Sequence, residues 1–439
     1  MREMKDSGVE WIGEIPKNWK VERLRYIIKD YKSGPFGSAL KMDGLLPDGN
    51  ILIYSPEHIT LHSSDSDKNL YLPDEREEEM SQFIVKENDI LFPIVGSLGK
   101  AMIITADMPK GIINQRVAKF QIDNTIVDQD YFMWLFAKSN FYQPYIDLSC
   151  RGSFIVNLTK AIINDMPCVI QPLAIQKKIS TYLDIKCSKI DEIIEKQQAI
   201  IEKLKEYKLS VITEAVTKGL NPDVEMKDSG NTWFGYIPAH WDCVISRFVF
   251  EKVSDINHFM PESVDSGYPY LMIGDLKEHI SDIDFENCKK ISKMDFDCLK
   301  QKMKSQKGDV IFARYATIGT VCYVDIDIDF LVSYACVTVR PNKELYGEYL
   351  YYYFKSCAFR ENVKQFINSN TQENVGIEAL CKTKITIPPY KEQKMIVNYL
   401  NEKSKNIDIS IEKKRNIVEK LQEYKKSLIY EVVTGKKEV

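Results

Sequence analysis

Two stretches of the chain carry an apolar residue every seven positions. Stepping by seven from Leu183 reaches Ile190, Gln197, Leu204 and Val211, with a companion row at Ile193 or Ile194, Ile200 or Ile201, and Tyr207. Stepping from Leu400 reaches Ile407, Lys414, Leu421 and Leu428, with Ile411, Ile417, Val418 and Tyr424 beside them. An apolar seam of this period, flanked by Glu and Lys, predicts a long helix that packs on another helix. The first is expected over 171–220, with Pro172 in its first turn, where a missing N–H forfeits no bond. At about 1.5 Å per residue it would run roughly 75 Å. Each seam is broken once, at the same heptad position, by Gln197 and by Lys414. A polar seam residue lowers stability and fixes register. Both sit mid-seam, so Gln197 is expected near Lys414 whether the helices run parallel or antiparallel.

The two helices are part of a longer repeat. The lead-in Met4-Lys5-Asp6-Ser7-Gly8-x-x-Trp11-x-Gly13-x-Ile15-Pro16-x-x-Trp19 returns from Met226 to Trp241, at an offset of 222 (Met226 against Met4). Asp89-Ile90-Leu91-Phe92 returns as Asp309-Val310-Ile311-Phe312 at 220, Tyr131…Phe136 as Tyr349…Phe354 at 218, and Leu204 as Leu421 at 217. The offset drifts in small steps, so the chain is a tandem duplication of one module. Each copy begins with a Trp/Pro-rich segment that reads as extended chain and turns. A globular part follows with strand-like runs: Ile51–Tyr54, Asp89–Val95, Lys100–Thr105 and Val117–Ile122, then Tyr270–Ile273, Asp309–Tyr315, Thr320–Val324 and Phe330–Val339. A short aromatic helix is expected at Asp130–Ser139 and at Glu348–Ser356, before each long helix. The acidic run Asp74–Glu79 reads as a solvated turn.

Composition narrows the class. The 439 residues, 44% hydrophobic and 28% charged, are those of a globular protein with two or more domains. The start of the chain does not read as a signal peptide, and Ile90–Ala106, its most apolar stretch, is broken by Pro93, two glycines and Lys100, so no transmembrane helix is expected. Ten Cys without a C-x-x-C pair, and five His without H-E-x-x-H, point to free thiols in a reducing cytoplasm and away from structural zinc. A net charge of −4 does not suit a simple basic nucleic-acid binder, although local patches or partner subunits can supply positive charge.

Apparent catalytic motifs fail on inspection. Pro388-Pro389-Tyr390 follows Ile387, where an amino-methyltransferase needs Asn, Asp or Ser to accept the target amine's hydrogen bond. The other copy has Gln171-Pro172, so both read as proline starts to a helix. Gly96-Ser97-Leu98-Gly99-Lys100 resembles a phosphate cradle but has Ile94 in place of Gly and Ala101 in place of Ser or Thr, and reads as a hairpin turn. No Ser/His/Asp set and no nuclease-type carboxylate cluster repeats. What repeats is architectural. Two related binding units on a helical ruler suit a target with two half-sites, such as DNA read at places about one turn, roughly 34 Å, apart. Polar and basic residues near predicted loops are the natural readers: Lys41, Lys100, Gln115, Arg116, Arg151, Ser153 and Asn157 in the first copy, and Arg314, Tyr315, Arg360, Lys364, Asn370, Thr371, Gln372 and Asn374 in the second. Arg and Lys fork onto guanine and Asn and Gln onto adenine in the major groove. The helix seams, through Ile190, Gln197, Leu204, Tyr207, Val211, Ile407, Lys414, Leu421, Tyr424 and Leu428, form the coiled-coil and partner interface.

Taken together, the chain resembles the specificity subunits of type I restriction–modification systems over essentially its whole length. The resemblance rests on the paired lead-ins, on the P-x-x-x-Q helix starts Pro172…Gln176 and Pro389…Gln393, and on the helix ends Thr213–Gly219 and Tyr430–Gly435. It implies an α+β architecture: two pseudo-symmetric globular α/β target-recognition domains, about 20–170 and 242–387, separated by two long helices that form an antiparallel coiled coil. The domain plan is then 1–170, 171–220, 221–387 and 388–439. It also implies that each domain reads one half of a bipartite, asymmetric sequence in double-stranded DNA, and that the helices set the spacer. The subunit would have no catalytic centre and bind no cofactor itself. Two methyltransferase subunits would use S-adenosylmethionine to methylate adenine N6, and two endonuclease/translocase subunits would use ATP and Mg. A fused methyltransferase or nuclease, and a scaffold that does not touch DNA, are the competing readings.

Overall fold

The computed structural model describes residues 2–36, 40, 44–66, 68–95, 99–149, 157–314, 320–366 and 375–439. Both heptad stretches are helical, Leu173–Lys218 over 46 residues and Tyr390–Val433 over 44. The chain forms two compact units, Met1–Lys196 with Ile417–Val439, and Gln197–Asn416. The division falls inside both long helices, so each unit holds the start of one and the end of the other.

Each unit is built on the same sheets. In the first, a four-stranded antiparallel sheet has the order Ile28–Ser33, Val117–Ile122, Ile90–Pro93, Met102–Ile103. In the second the order is Phe250–Ser254, Cys336–Pro341, Val310–Ala313, Val321–Tyr323. A three-stranded sheet lies beside each, and in it Ile51–Tyr54 runs parallel to Gly111–Ile113, as Tyr268–Leu271 does to Leu331–Val332. The lead-ins fold as two-stranded hairpins, Met4–Asp6 with Glu14–Pro16 and Met226–Asp228 with Tyr236–Pro238. The expected strands Ile51–Tyr54 and Val117–Ile122 appear with the bounds read from the sequence. The run Phe330–Val339 instead splits into Leu331–Val332 and Cys336–Pro341. Ser333 donates its N–H to Leu271 and its carbonyl accepts from Cys336, which turns the chain from one sheet into the other. The aromatic helices span Gln129–Phe136, capped by the Asp128 carboxylate on Tyr131 N–H, and Gly347–Lys355.

Two buried devices join each long helix to its globular part. Gln176 is fully buried; its Oε1 accepts from Asp128 N–H at 2.7 Å and its Nε2 donates to the carbonyls of Ile126 (3.0 Å) and Gln171 (2.8 Å). Gln393 repeats this with Tyr346 N–H at 2.7 Å and the carbonyls of Glu344 and Pro388, both at 2.9 Å. Pro388-Pro389-Tyr390 is therefore the start of a helix whose first turn is pinned by Gln393. The second device is a tyrosine. Tyr131 directs its hydroxyl at the carbonyls of Val169 (3.0 Å) and Val433 (3.5 Å), and Tyr349 donates within a cluster formed by the Thr386 and Val216 carbonyls, both at 3.1 Å. Burial drives both phenols far above their ordinary pKa, so they remain donors.

These contacts give the direction of the helices. In the first unit the residues just before the first helix meet the end of the second on Tyr131, while Asp191, further along the first, binds Lys425, further back along the second, at 2.6 Å. The helices are antiparallel there. In the second unit Val216 meets Thr386, and Lys208 binds Asp408 at 2.7 Å, with the same sense. Gln197 and Lys414 both lie in the second unit, where Gln197 buries its side-chain oxygen. The seam is narrower than the companion rows suggest. Ile194 and Ile201 are buried whereas Ile193 and Ile200 are exposed, and Ile201 clusters with Leu204, Ile407 and Ile411. Tyr207 and Tyr424, expected in the interface, are 54% and 51% exposed, because the two-helix seam reaches one face of each helix only.

A buried carboxylate starts the central strand of each sheet. Asp89 accepts from Lys119 Nζ at 2.7 Å, Gln121 Nε2 at 2.9 Å and Lys86 N–H at 2.8 Å. Asp309 accepts from Arg340 Nε (2.9 Å) and one terminal guanidinium nitrogen (2.8 Å), and from Gln306 N–H at 3.0 Å.

Candidate nucleic-acid interface

At the far end of those central strands, three chain segments meet in the same way in both units. In the first, Ile94 N–H donates to Arg116 and the Ile94 carbonyl accepts from Leu158 N–H, both at 2.9 Å. In the second, Arg314 N–H donates to Ala335 at 2.9 Å and its carbonyl accepts from Val375 N–H at 3.1 Å. Ile94 and Arg314 thus occupy equivalent positions, as do Leu158 and Val375. Asn157 also bridges Val95 here. The sheet edge thereby gathers residues that lie far apart in sequence.

The side chains at the two junctions differ. In the first unit Gly34 follows the edge strand, and its N–H donates to Val117. A Cβ at Gly34 would lie 1.8 Å from the Asn114 carbonyl oxygen, so no side chain fits. The equivalent residue in the second unit is Asp255, which is buried. Its carboxylate accepts from Arg314 (2.8 Å), Lys302 (2.5 Å) and His258 (3.1 Å). Burial pushes this carboxyl up, but the hydrogen bonds of Lys302 and His258 and the charges of Lys302 and Arg314 outweigh it and hold the pKa below the ordinary value. Arg314 Nε also donates to the Val375 carbonyl at 3.3 Å, and the imidazole of His258 stacks on Tyr334.

The residues named from the sequence fall into three groups. Gln115, Arg116 and Asn157 are exposed at the first junction, where Gln115 also donates to the Leu40 carbonyl, and Lys100 is half-buried just beyond the central strand. Arg314 lies at the second junction, with its guanidinium on Asp255. Arg360 and Lys364 lie instead on the helix Cys357–Lys364, where Lys364 pairs with Glu361 at 2.7 Å. Lys41, Arg151, Ser153, Tyr315, Asn370, Thr371, Gln372 and Asn374 lie outside the described residues, as does most of the Gly96–Lys100 turn. Asp255, Lys302 and His258 were not singled out from sequence. The available signal was a paired change between the copies: Gly34 against Asp255, and Ile94 against Arg314.

The junctions present cations and amides at a sheet edge, a set suited to phosphate and base-edge contacts. Among the described residues, no three His, Cys, Asp or Glu side chains gather to hold a metal ion. No helix among them is long and apolar enough to cross a membrane.

Comparison with known proteins bears on the same regions. Residues 17–206 and 257–420 match the family described as type I restriction modification DNA specificity domain. The specificity subunit of the type I restriction enzyme MjaVIII from Methanocaldococcus jannaschii is 25% identical over 430 residues, covering 96% of this chain and 93% of its own. The EcoKI specificity subunit of Escherichia coli is 24% identical over 282 residues, 61% of this chain and 56% of its own. Among solved structures, a chain from work on complex assembly and conformational transition of the type I R-M system superposes with a TM-score of 0.69 at 14% identity, covering 95% of this chain and 98% of that one. The HsdS subunit from Thermoanaerobacter tengcongensis gives 0.50 at 15% identity, covering 96% and 98%. These superpositions bear on the fold.

Proposed function

We infer, for a chain that belongs to the family of type I restriction modification DNA specificity domains, a division of labour between its two units. The protein is the DNA sequence-specificity subunit of a type I restriction–modification complex, and its role is recognition. The recognition domains, about 20–170 and 242–387, each read one half of a bipartite, asymmetric target, and the paired helices fix the gap between the halves. The observation that carries this reading is the double occurrence of the family's domain on a duplicated module whose long helices run antiparallel in each unit.

The finer assignments belong to the same proposal. In this reading Gln115, Arg116 and Asn157, exposed on the first unit, are its DNA contacts, and the second unit meets DNA around the junction that holds Arg314. Chemistry resides in partners: two methyltransferase subunits that use S-adenosylmethionine to methylate adenine N6, and two endonuclease/translocase subunits that use ATP and Mg. The complex works in the cytoplasm on the cell's own and incoming DNA. A net charge of −4 fits a subunit whose DNA clamp is completed by those partners.

The test is the adenine-methylation map of a methylation-free host that expresses this chain with its methyltransferase partner. The expected result is one split motif, two short specific blocks around a fixed unspecified gap. Methyl transfer by the purified chain alone would overturn the non-catalytic assignment. A soluble, associated pair that neither methylates nor shifts DNA in a gel would favour a scaffold.

A further inference from the structure

The same backbone junction is closed by two different means, and the difference resides in two positions. In the first unit the two positions hold Gly34 and Ile94. In the second it carries a buried ion pair, Asp255 with Arg314, the arginine side chain being 12% exposed. The fold does not require that pair, since the first unit makes the same three-segment contact without it. A buried pair also carries a desolvation cost that apolar side chains of like volume avoid. Its presence therefore points to a role in placing groups.

Arg314 ties three segments through one residue. Its backbone binds Ala335 and Val375, and its side chain binds Asp255 and the Val375 carbonyl. Asp255 in turn fixes Lys302 and His258, which remain 42% and 58% exposed. One carboxylate thus sets the position of an internal guanidinium and of two outward-facing nitrogen donors.

We propose that Asp255 and Arg314 are positioning residues for sequence recognition by the second unit, aligning the strand ends and holding Lys302 and His258 toward the DNA backbone, whereas the first unit achieves the same alignment by the steric closure of Gly34. This rests on the reading of the chain as a two-part sequence reader. Phosphate contacts fix orientation and base contacts read sequence, so a shift in the tie degrades the reading of one half only.

The test uses the complex with the methyltransferase partner. Wild type is mapped first; absence of a split motif there would remove the underlying reading rather than this proposal. Arg314→Met and Asp255→Asn are then compared by methylation map, thermal melting and co-purification. The expected result is that wrong sequences in one block gain methylation about tenfold, the scale of one lost specific contact, while the other block and partner binding stay unchanged. The double variant Asp255→Gly with Arg314→Ile installs the first unit's residues. It is expected to recover melting temperature without recovering discrimination, which a purely structural pair would not do. Gly34→Ala is expected to relax the opposite block. An unchanged motif with Arg314→Met, relaxation spread equally over both blocks, or discrimination restored by the double variant would each overturn the proposal.

Discussion

The helix side and the sheet-edge side of each unit follow opposite rules. On the helix side the two units make equivalent contacts: Gln176 and Gln393 make the same three hydrogen bonds, Tyr131 and Tyr349 address the same pair of carbonyl positions, and Asp191–Lys425 matches Asp408–Lys208. At the sheet edge the backbone agrees while the side chains do not, Gly34 and Ile94 against Asp255 and Arg314. The buried carboxylates lie between these extremes, with Asp89 and Asp309 kept and their cations changed from Lys119 to Arg340. The duplicated chain thus keeps its helix anchorage in both copies and varies the side chains at the sheet edge.

The largest expected effect probes the intermediate layer. Lys119→Met and Arg340→Met each leave a buried carboxylate without its cation, a loss of about 3–5 kcal/mol. Asp89 keeps its bonds from Gln121 and Lys86, so urea unfolding is expected to show the smaller loss for Lys119→Met. Equal losses would mean that the cation alone carries the energy. Next come Gln176→Leu and Gln393→Leu. Each strands one N–H and two carbonyls in a buried site, at a cost of about 2–4 kcal/mol. The two variants should match in unfolding midpoint, and a clear difference would break the claim that the helix side is equivalent in both units. Smallest are Lys425→Ala and Lys208→Ala. Their Asp partners are half exposed, so each change should cost roughly 0–1 kcal/mol and fade at high salt.

Much of this organisation was legible in the sequence because it is periodic or repeated. The heptads marked both long helices, the repeated lead-ins marked the duplication, and alternation marked Val117–Ile122. The P-x-x-x-Q starts were visible as words, but not their purpose: Gln176 reaches back 48 residues to Asp128, a contact no local period encodes. For the same reason Gly111–Ile113 escaped notice; it is a strand because Ile51–Tyr54 lies parallel to it. The sheet-edge pair was hidden differently. Arg314 stood out as a basic residue near a loop, but its carboxylate partner lies 59 residues earlier and faces a glycine in the other copy. Sequence identity between copies finds shared scaffolding and passes over paired differences.

The swapped helix ends also impose an order on synthesis. The second unit is one continuous stretch, Gln197–Asn416, whereas the core of the first is closed by Ile417–Val439, including the Val433 carbonyl that meets Tyr131. The first globular part therefore emerges from the ribosome about 220 residues before the helix that covers it. At roughly 5–20 residues per second that is a delay of about 10–45 s with apolar surface uncovered. The unit encoded first is completed last, its apolar surface waiting uncovered while the second unit is made.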